Sequence, residues 1–293
     1  MIGFMETRIK KQSACVIPCL NCEGTIGQIV HECLQSTDSV YVIDDGSTDN
    51  SYTNATKAGA KTIRLNKNQG VSNALREGIE IAVREHHQLV VLLDADGAHN
   101  PSDISRLLSS HMKESNIMTL GSRWHQEMNL MEIPSHKWWA NLFARHIVNQ
   151  IIKSELPDVL TGFRVLDIGF AKEIQQASGF DFMVESVFYA SKHNYKIGYA
   201  NTNVRYNARQ IWLTKHKEFI DFIKNCSKWC KDELLSEKLE KLNEKITMWD
   251  TLSIILQNRK QVLYAHPLQD KGGYIFQLQH SYFSQDSDDY IIL

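Results

Sequence analysis

Several features that define other protein classes are scarce in this chain of 293 residues. The longest uninterrupted apolar run is LVVLL at 89–93, which is too short for a helix that spans a bilayer. The 32 basic and 34 acidic residues nearly cancel, which argues against wholesale binding of nucleic acid. With only 5 prolines and 43% hydrophobic residues, the chain can bury one large core, or one core and a small appendage.

The chain also lacks the Cys/His spacings of zinc sites. The first residues, MIGFMETRIKKQSA, are too polar for a signal peptide. We therefore expect a cytoplasmic, reducing environment with free thiols. The stretch CVIPCLNC at 15–22 has a C-x3-C-x2-C spacing found in some iron–sulfur enzymes. Because Cys15 falls inside a predicted strand, we favour core or pocket-lining cysteines over a cluster.

Short apolar runs alternate with longer amphipathic runs between residues 13 and 120. We predict strands at SACVIP, SVYVID, KTIRL, QLVVLLD and NIMTLG. We predict helices at TIGQIVHECL, NSYTNATKAG, GVSNALREGIEIAVREH and PSDISRLLSSHM. This rhythm predicts a mostly parallel sheet covered by helices on both faces. Ligands of such α/β folds lie at the carboxyl ends of the strands, where PCLN, DDGSTD, NKNQG and DADGAH offer groups for hydroxyls, a base and a metal.

Two carboxylates, Asp94 and Asp96, directly follow the apolar run at 89–93. Their repulsion and partial burial cost free energy unless a cation lies between them. Hard carboxylate oxygens suit Mg²⁺ or Mn²⁺, with water and a substrate diphosphate completing the shell. The alternative is a turn in which both acids are simply solvated, and the D-x-D pattern alone does not decide between the two.

Six motifs occur in one order along the chain: IPCLN at 17–21, IDDGSTDNS at 43–51, NQGVSNALREGIEIA at 68–82, LDADGAHNPSDI at 93–104, GSRW at 121–124 and TGFRVLD at 161–167. Together they resemble the inverting GT-A glycosyltransferases of family 2, and among them the dolichyl-phosphate mannosyltransferases and polyprenyl-phosphate glycosyltransferases. The resemblance implies a GT-A catalytic domain at 12–210, with a Rossmann-like, mostly parallel sheet flanked by helices. Residues 211–293 remain as a mainly helical extension of unknown role.

The resemblance implies a donor site for a UDP- or GDP-sugar. Its nucleotide-binding residues would be Pro18, Asn21, Asp44, Asp45, Asn68 and Asp94, and its metal ligands Asp94 and Asp96. The chain departs from the family at Cys22, where a glutamate is usual, so the base stays open. It departs again at Ala98, which replaces a glutamine metal ligand and predicts a weaker metal site completed by water.

The resemblance further implies an in-line displacement in which Asp96 and Arg123 are catalytic. The cations expected to bind an acceptor phosphate are Arg123, Lys137, Arg164 and Arg205. A lipid phosphate is already anionic and needs no general base. A hydroxyl acceptor would need one, for which Asp158 and Glu185 are candidates, although Glu185 suits a structural role equally well.

The preferred hypothesis is a metal-dependent, inverting glycosyltransferase with a polyprenyl or dolichyl phosphate acceptor. One alternative acceptor is a hydroxyl of a glycan, a lipopolysaccharide or a protein, and another alternative is a catalytically degenerate nucleotide-sugar-binding or scaffold protein. A sugar nucleotidyltransferase is disfavoured because PCLNCEGT is not a Gly-rich loop. For the segment at 211–235, we prefer a helix packed on the catalytic domain to a helix that lies on the cytoplasmic face of a membrane. Whether the protein forms a homodimer stays open.

Overall fold

The computed structural model describes residues 10, 12–124, 135–176, 182–204, 216–233, 235–240, 261–267, 274–280 and 290–292. The chain folds into two compact units. The first consists of residues 1–128 and 157–210, and the second of residues 129–156 and 211–293. Residues 129–156 thus group with the C-terminal part of the chain, and the division at residue 210 stays a prediction.

A seven-stranded sheet forms the centre of the first unit. Its strands are β1 Ser13–Cys19, β2 Ser39–Asp44, β3 Lys61–Arg64, β4 Leu89–Leu92, β5 Met118–Ser122, β6 Arg164–Asp167 and β7 Ile197–Asn201. Their spatial order is β3-β2-β1-β4-β6-β5-β7. Only β6 runs antiparallel to its neighbours, β4 and β5. The predicted mostly parallel sheet and its first five strands are confirmed.

The helices are, in chain order, α1 Ile26–Ser36, α2 Ser51–Lys57, α3 Val71–Arg84, α4 Ile104–Glu114, α5 Ser135–Ile152, α6 Ile168–Gln176, α7 Phe182–Lys192 and α8 His216–Trp229. The four helices predicted between the first five strands are confirmed as α1 to α4. A 3₁₀ turn, Pro101–Asp103, precedes α4, and the Asn100 side chain caps it by accepting from the Ser102 N–H. All except α5 and α8 belong to the first unit.

Close packing of α3 on the sheet depends on one glycine. The helix buries Leu75, Ile79 and Ala82, residues at the i, i+4 and i+7 positions of one helical face. Gly78 lies on the same face, and a Cβ there would come within 2.2 Å of a Val16 methyl group. The missing side chain therefore allows α3 to lie directly on β1.

The second unit contains α5, α8 and a small sheet. Strands β8 Gln261–Pro267, β9 Tyr274–His280 and β10 Tyr290–Ile292 form that sheet in the order β10-β9-β8, with both pairings antiparallel. The rings of Phe143 in α5 and Phe222 in α8 lie 6.3 Å apart, and Ile223 and Cys226 are fully buried. The apolar stripe of α8 is therefore a packing face. No helix in the described ranges is long and apolar enough to cross a membrane.

Candidate active site

The carboxyl edge of the parallel strands collects loops from distant parts of the chain. β1, β2 and β4 end at this edge. Because β6 is antiparallel, its first residue, Arg164, pairs with Leu92 at the end of β4 and with Leu120 near the end of β5. The segment that precedes β6 therefore reaches the same edge as the loops that follow the parallel strands.

The loops after β1 and β2 are tied together by hydrogen bonds. Asn21 has a left-handed backbone conformation (φ 54°). Its N–H donates to the Ser47 Oγ at 2.9 Å, and its Oδ1 accepts from the Thr48 N–H at 2.9 Å. A carboxylate oxygen of Glu23 accepts from both the backbone and the side-chain nitrogen of Asn50 at 3.0 Å. These bonds fix the two loops against each other.

The acids after β2 have internal partners. The fully buried Asp44 accepts from Arg64 Nε at 2.6 Å and from the Ser47 N–H at 2.9 Å. Asp45 accepts from two backbone N–H groups of the next loop, those of Gln69 at 2.7 Å and Gly70 at 2.8 Å. Both acids thus hold the loops around the edge in place.

Two further residues predicted to bind the donor lie near this loop system. Pro18 lies in β1 opposite Ile43 of β2. The exposed Asn68 accepts from the Gly70 N–H through its Oδ1 at 3.1 Å. A nucleotide role for Pro18, Asn21, Asp44, Asp45 and Asn68 stays a prediction.

The D-x-D acids lie in a different electrostatic setting. Among the described residues, Asp94 receives no hydrogen bond, and Asp96 accepts only from the Ala98 N–H at 2.9 Å. Burial and the neighbouring Asp96 charge raise the pKa of Asp94 to about 6, although Arg123 and Arg164 oppose the shift. The loop itself is anchored, because the Thr25 hydroxyl donates to the Ala95 carbonyl at 2.6 Å.

Gly162 brings a second segment against the Asp94 carboxylate. A Cβ at this position would lie 2.4 Å from Asp94 Oδ2 and 2.9 Å from Oδ1, which is far inside van der Waals contact. Only glycine can therefore occupy this position without moving the carboxylate. Gly162 is part of the TGFRVLD motif, but its approach to Asp94 depends on the tertiary fold and was not predicted.

Arg123 and Asp158 form a bidentate ion pair in the same unit. Arg123 Nε donates to Asp158 Oδ2 at 2.7 Å, and Nη2 donates to Oδ1 at 2.9 Å. Arg123 is 9% exposed and Asp158 is 1% exposed, so the pair is held with little solvent. Such a planar pairing orients a guanidinium. The structure thus gives Asp158 an orienting contact, and its role as a general base stays a prediction.

Arg164 is fully buried and donates mainly to backbone carbonyl groups. Its guanidinium reaches the carbonyl oxygens of Val159 at 3.0 Å, Thr161 at 2.8 Å and Met183 at 2.6 Å. It also donates to the Ser186 hydroxyl at 2.8 Å. These contacts hold the segment before β6 to the start of α7. Acceptor binding by Arg164 stays a prediction, while these contacts are structural.

The remaining predicted residues are spread over both units. Glu185 is buried in the first turn of α7. Lys137 lies in α5, in the second unit, and its side chain is outside the described part of the chain. Arg205 is also outside the described residues.

One buried histidine accompanies the Arg123–Asp158 pair. His99 is 3% exposed, its ring lies 5.3 Å from that of Phe163, and its Nδ1 has no hydrogen-bond partner among the described residues. Burial and the Arg123 charge lower its pKa to about 3. The imidazole is therefore neutral, and it packs against Phe163 without adding a positive charge to the site.

The chemistry of Asp94 and Asp96 fits a divalent cation. Two carboxylates with few donors around them match the hard oxygen ligands of Mg²⁺ and Mn²⁺. No group of three or more His, Cys, Asp or Glu side chains in the described part of the chain could hold a metal ion. The two acids would therefore need water and a substrate phosphate to complete the coordination shell.

A mostly parallel α/β sheet with paired acids after one of its buried strands fits the GT-A glycosyltransferase architecture. The model of glycosyl transferase family 2 matches residues 14–174, more than half of the chain. The chain belongs to this family, and it is a glycosyltransferase.

Individual relatives agree with this assignment. The UDP-N-acetylglucosamine–dolichyl-phosphate N-acetylglucosaminyltransferase of Methanococcus voltae is 24% identical over 204 residues, which span 62% of this chain and 81% of the relative. The polyprenol monophosphomannose synthase of Mycolicibacterium smegmatis is 20% identical over 200 residues, which span 65% of this chain and 74% of the relative. Two relatives are thus named for transfer to a lipid phosphate.

A solved structure supports the fold. Glucosyl-3-phosphoglycerate synthase from Mycobacterium tuberculosis, in complex with Mn²⁺, UDP-glucose and phosphoglyceric acid, matches with a TM-score of 0.59 and 17% identity over 80% of this chain and 86% of the other. At this identity the likeness concerns the fold alone.

Proposed function

We propose that this glycosyltransferase moves a sugar, with inversion, from a UDP- or GDP-sugar to a polyprenyl or dolichyl phosphate, with Mg²⁺ or Mn²⁺ held by Asp94 and Asp96. The observation that carries the proposal is the pair of acids after β4. Asp94 is held against Gly162 with a raised pKa and no hydrogen bond from the described residues, beside a second carboxylate. A cation between the two acids would relieve their repulsion.

The metal, when bound, would neutralise the charge that develops on the departing diphosphate. Asp94 and Asp96 would hold this metal. The anchored D-x-D loop would keep this geometry fixed during the reaction, since the Thr25 hydroxyl bonds its central carbonyl. Fixed charges of this kind account for much of an enzyme's rate enhancement.

Arg123 would supply positive charge to the acceptor. The bidentate contact with Asp158 fixes the plane of its guanidinium, and preorganised donors bind phosphate oxygens better than mobile ones. A phosphate acceptor attacks as an anion and needs no general base, which agrees with an Asp158 carboxylate that is engaged by Arg123.

Two relatives named for lipid-phosphate acceptors support this acceptor class. A lipid acceptor also requires that the protein meet a membrane surface, and we propose a peripheral position for it on the cytoplasmic face. The C-terminal part of the chain, residues 211–293, is proposed as an extension whose role stays open.

A thermal-shift panel tests the donor and the metal. The full chain is melted with UDP-, GDP-, CDP- and dTDP-sugars, each with and without Mn²⁺. A ligand well above its Kd should raise the melting temperature by several degrees, and we expect this for one nucleotide and only with metal. Metal-independent stabilisation, or none with any donor, would contradict the proposal.

Transfer assays then test the acceptor. The selected sugar nucleotide, labelled in the sugar, is offered to a short-chain polyprenyl phosphate, to the matching polyprenol without phosphate, and to a soluble glycan. We expect labelled lipid only with the phosphate. Product formed on the polyprenol or the glycan instead would favour a hydroxyl acceptor and return Asp158 and Glu185 to consideration as bases.

A further inference from the structure

The central sheet has two edges, and a side chain of the same chain protects one of them. β3 and β7 are the outer strands. The Thr202 N–H donates to the Ser122 carbonyl of β5 at 2.8 Å, so the neighbouring Asn201 directs its backbone groups away from the sheet. Arg106 Nη1 donates to this outward Asn201 carbonyl at 2.8 Å. A side chain of α4 therefore occupies the β7 edge.

The β3 edge lacks such a contact in the described part of the chain. The Leu65 N–H donates to the Asp44 carbonyl of β2 at 2.9 Å, so Leu65 and Ile63 direct their backbone groups toward β2. Thr62 and Arg64 direct theirs outward. These outward N–H and carbonyl groups have no hydrogen-bond partner among the described residues, and neither has the Thr62 hydroxyl. β3 thus presents an open ladder edge.

A cavity of about 530 Å³ lies beside this edge. Its lining residues come from β3 and from the end of α3, and they are Lys61, Thr62, Ile63, Ile81, Arg84 and Glu85. Ile63 and Ile81 are both partly exposed, so the edge offers apolar surface as well as open backbone groups. The rim carries both signs of charge, which lets a second copy of the same surface meet it with unlike charges.

We propose that β3 pairs with β3 of a second copy of this chain, as antiparallel strands about a two-fold axis at Ile63. A two-fold contact uses the same surface patch on both subunits. With Ile63 opposite Ile63, Thr62 of each copy lies opposite Arg64 of the other. Because these two residues direct their backbone groups outward, each pair exchanges two N–H···O=C bonds, as in a regular antiparallel ladder. The two sheets would join into one continuous sheet.

The neighbouring registers are less favourable. An axis at Thr62 would put Arg64 opposite Ala60, whose N–H is already bonded to the Ala55 carbonyl at 3.1 Å. An axis at Arg64 would place two guanidinium groups directly opposite each other, which is destabilising. Only the axis at Ile63 pairs all the outward groups of the strand without opposing like charges.

The charges of β3 are compatible with this pairing. Lys61 of each copy would lie opposite Leu65 of the other, so no cation faces a cation. Cations on a short edge strand usually discourage pairing. Here, however, Lys61 is paired with Glu85 and Arg64 with Asp44 of the same chain. The strand therefore brings little uncompensated positive charge to the contact.

Antiparallel pairing would turn the carboxyl edges of the two sheets in opposite directions. A flat membrane would then face the active site of only one copy at a time. This consequence rests on the proposed function, whereas the dimer itself does not.

Cysteine cross-linking tests the register. Full-length Ile63→Cys and Lys61→Cys variants are oxidised with diamide, and their disulfides are mapped by mass spectrometry. The two Ile63 Cα atoms would lie about 4.5 Å apart, within the span of a disulfide, whereas the two Lys61 positions would lie about 14 Å apart along the strands. We expect an intermolecular disulfide at position 63 and none at position 61, although the Lys61 side chain is 55% exposed.

Light scattering after size-exclusion chromatography tests the dimer itself. Thr62→Pro removes one outward N–H but no hydrogen bond to β2, and proline is tolerated on an edge strand at such a position. The wild type should have the mass of two chains at high concentration and of one chain after dilution, and T62P the mass of one chain at both. Tyr199→Lys, on the exposed β7 edge, is the control and should behave as the wild type. Circular dichroism of each variant establishes that it is folded.

Three results would overturn the proposal. They are a wild type that stays monomeric at high concentration, a dimer that T62P leaves intact, or cross-linking at position 61 as efficient as at position 63. Transfer to a polyprenyl phosphate in vesicles, at concentrations that form the dimer, reports the consequence separately. T62P should transfer faster per chain than the wild type, because all its active sites are free to face the membrane. Equal rates would contradict the opposed orientation of the two sites, and no transfer by either protein would contradict the proposed function instead.

Discussion

The acids after β2 and the acids after β4 lie at the same edge of one sheet, yet they are satisfied in different ways. Asp44 and Asp45 accept from a guanidinium and from three backbone N–H groups. Asp94 and Asp96 accept, among the described residues, from one N–H group only. The first pair stabilises loops as it stands, whereas the two carboxylates of the second pair repel each other with few donors to offset the cost.

Under the proposed function, this difference would separate acids that stabilise loops from acids that bind the metal. Both pairs occur in motifs that resemble the same family, and both were predicted to hold the donor. Their hydrogen bonds indicate that substitution of an acid after β2 should lower the stability of the protein. Substitution of an acid after β4 should instead lower the rate of transfer. Four experiments, ordered by the expected size of the effect, test that distinction.

The Asp96→Asn substitution should have the largest effect. Without this carboxylate the site loses one of its two charged metal ligands, and we expect transfer to fall about 10²–10³-fold, as is usual when one fixed electrostatic contact to the transition state is removed. The metal-free melting temperature should stay equal or rise, because a like charge beside Asp94 is lost. Glu114→Gln, an exposed acid on α4, is the control, and equal transfer by both variants would refute the metal site.

The Asp44→Asn substitution should act on stability instead. The buried side chain would keep its shape but lose its charge opposite Arg64 and its strong acceptor for the Ser47 N–H. We expect unfolding in urea to become easier by about 1–3 kcal/mol. If stability is unchanged while nucleotide binding disappears, the contrast between the two pairs is wrong, and Asp44 serves the donor directly.

The Gly162→Ala substitution should weaken the metal site without replacing a metal ligand. The new Cβ would come within 2.4 Å of Asp94 Oδ2, so the carboxylate must move. We expect about a tenfold loss in Mn²⁺ affinity, equivalent to about 1.4 kcal/mol, measured by calorimetric titration with the nucleotide present.

Gly27→Ala is the matched control for this glycine. Its Cβ in α1 would meet nothing closer than an oxygen at 3.8 Å, and alanine stabilises a helix by roughly 0.5–1 kcal/mol over glycine. Its Mn²⁺ affinity should equal that of the wild type. The same loss of affinity in both variants would show that the close approach of Gly162 to Asp94 is irrelevant.

The pH dependence should show the smallest effect. The raised pKa of Asp94, about 6, means that the folded protein holds this proton more tightly than the unfolded chain. Without metal, this carboxyl contributes stability at low pH, which is lost as the pH rises from the ordinary value of 3.8 through 6. Metal binding needs the carboxylate, so Mn²⁺ affinity should rise up to about pH 6 and then level off. A flat profile, or the same profile in Asp94→Asn, would contradict this assignment.

The sequence was sufficient to predict the first five strands of the sheet and the position of the D-x-D loop after β4. Runs such as SVYVID and QLVVLLD are short, β-branched and bounded by turn residues, so local periodicity identifies them. The direction of β6 was not predictable in this way. The sequence of a four-residue strand, RVLD, does not indicate whether the strand pairs in a parallel or an antiparallel direction. Its orientation depends on partners distant in the chain.

The buried contacts of the two arginines were likewise beyond the reach of the sequence. GSRW and TGFRVL each present an arginine among small and apolar residues, and both were predicted to bind an acceptor. The Arg123 side chain meets a carboxylate 35 residues away, and Arg164 meets backbone carbonyls on two segments. Burial and partner identity arise from the tertiary fold, which motif spacing does not encode.

The reversed strand has a consequence for biosynthesis. β4 is wholly buried in the finished sheet, but one of its edges pairs with β6, which the ribosome makes only after α4, β5 and α5. At roughly 5–20 residues per second, the nascent chain would present an unpaired apolar edge for several seconds. We expect slower translation between residues 93 and 163 to increase aggregation of the nascent chain.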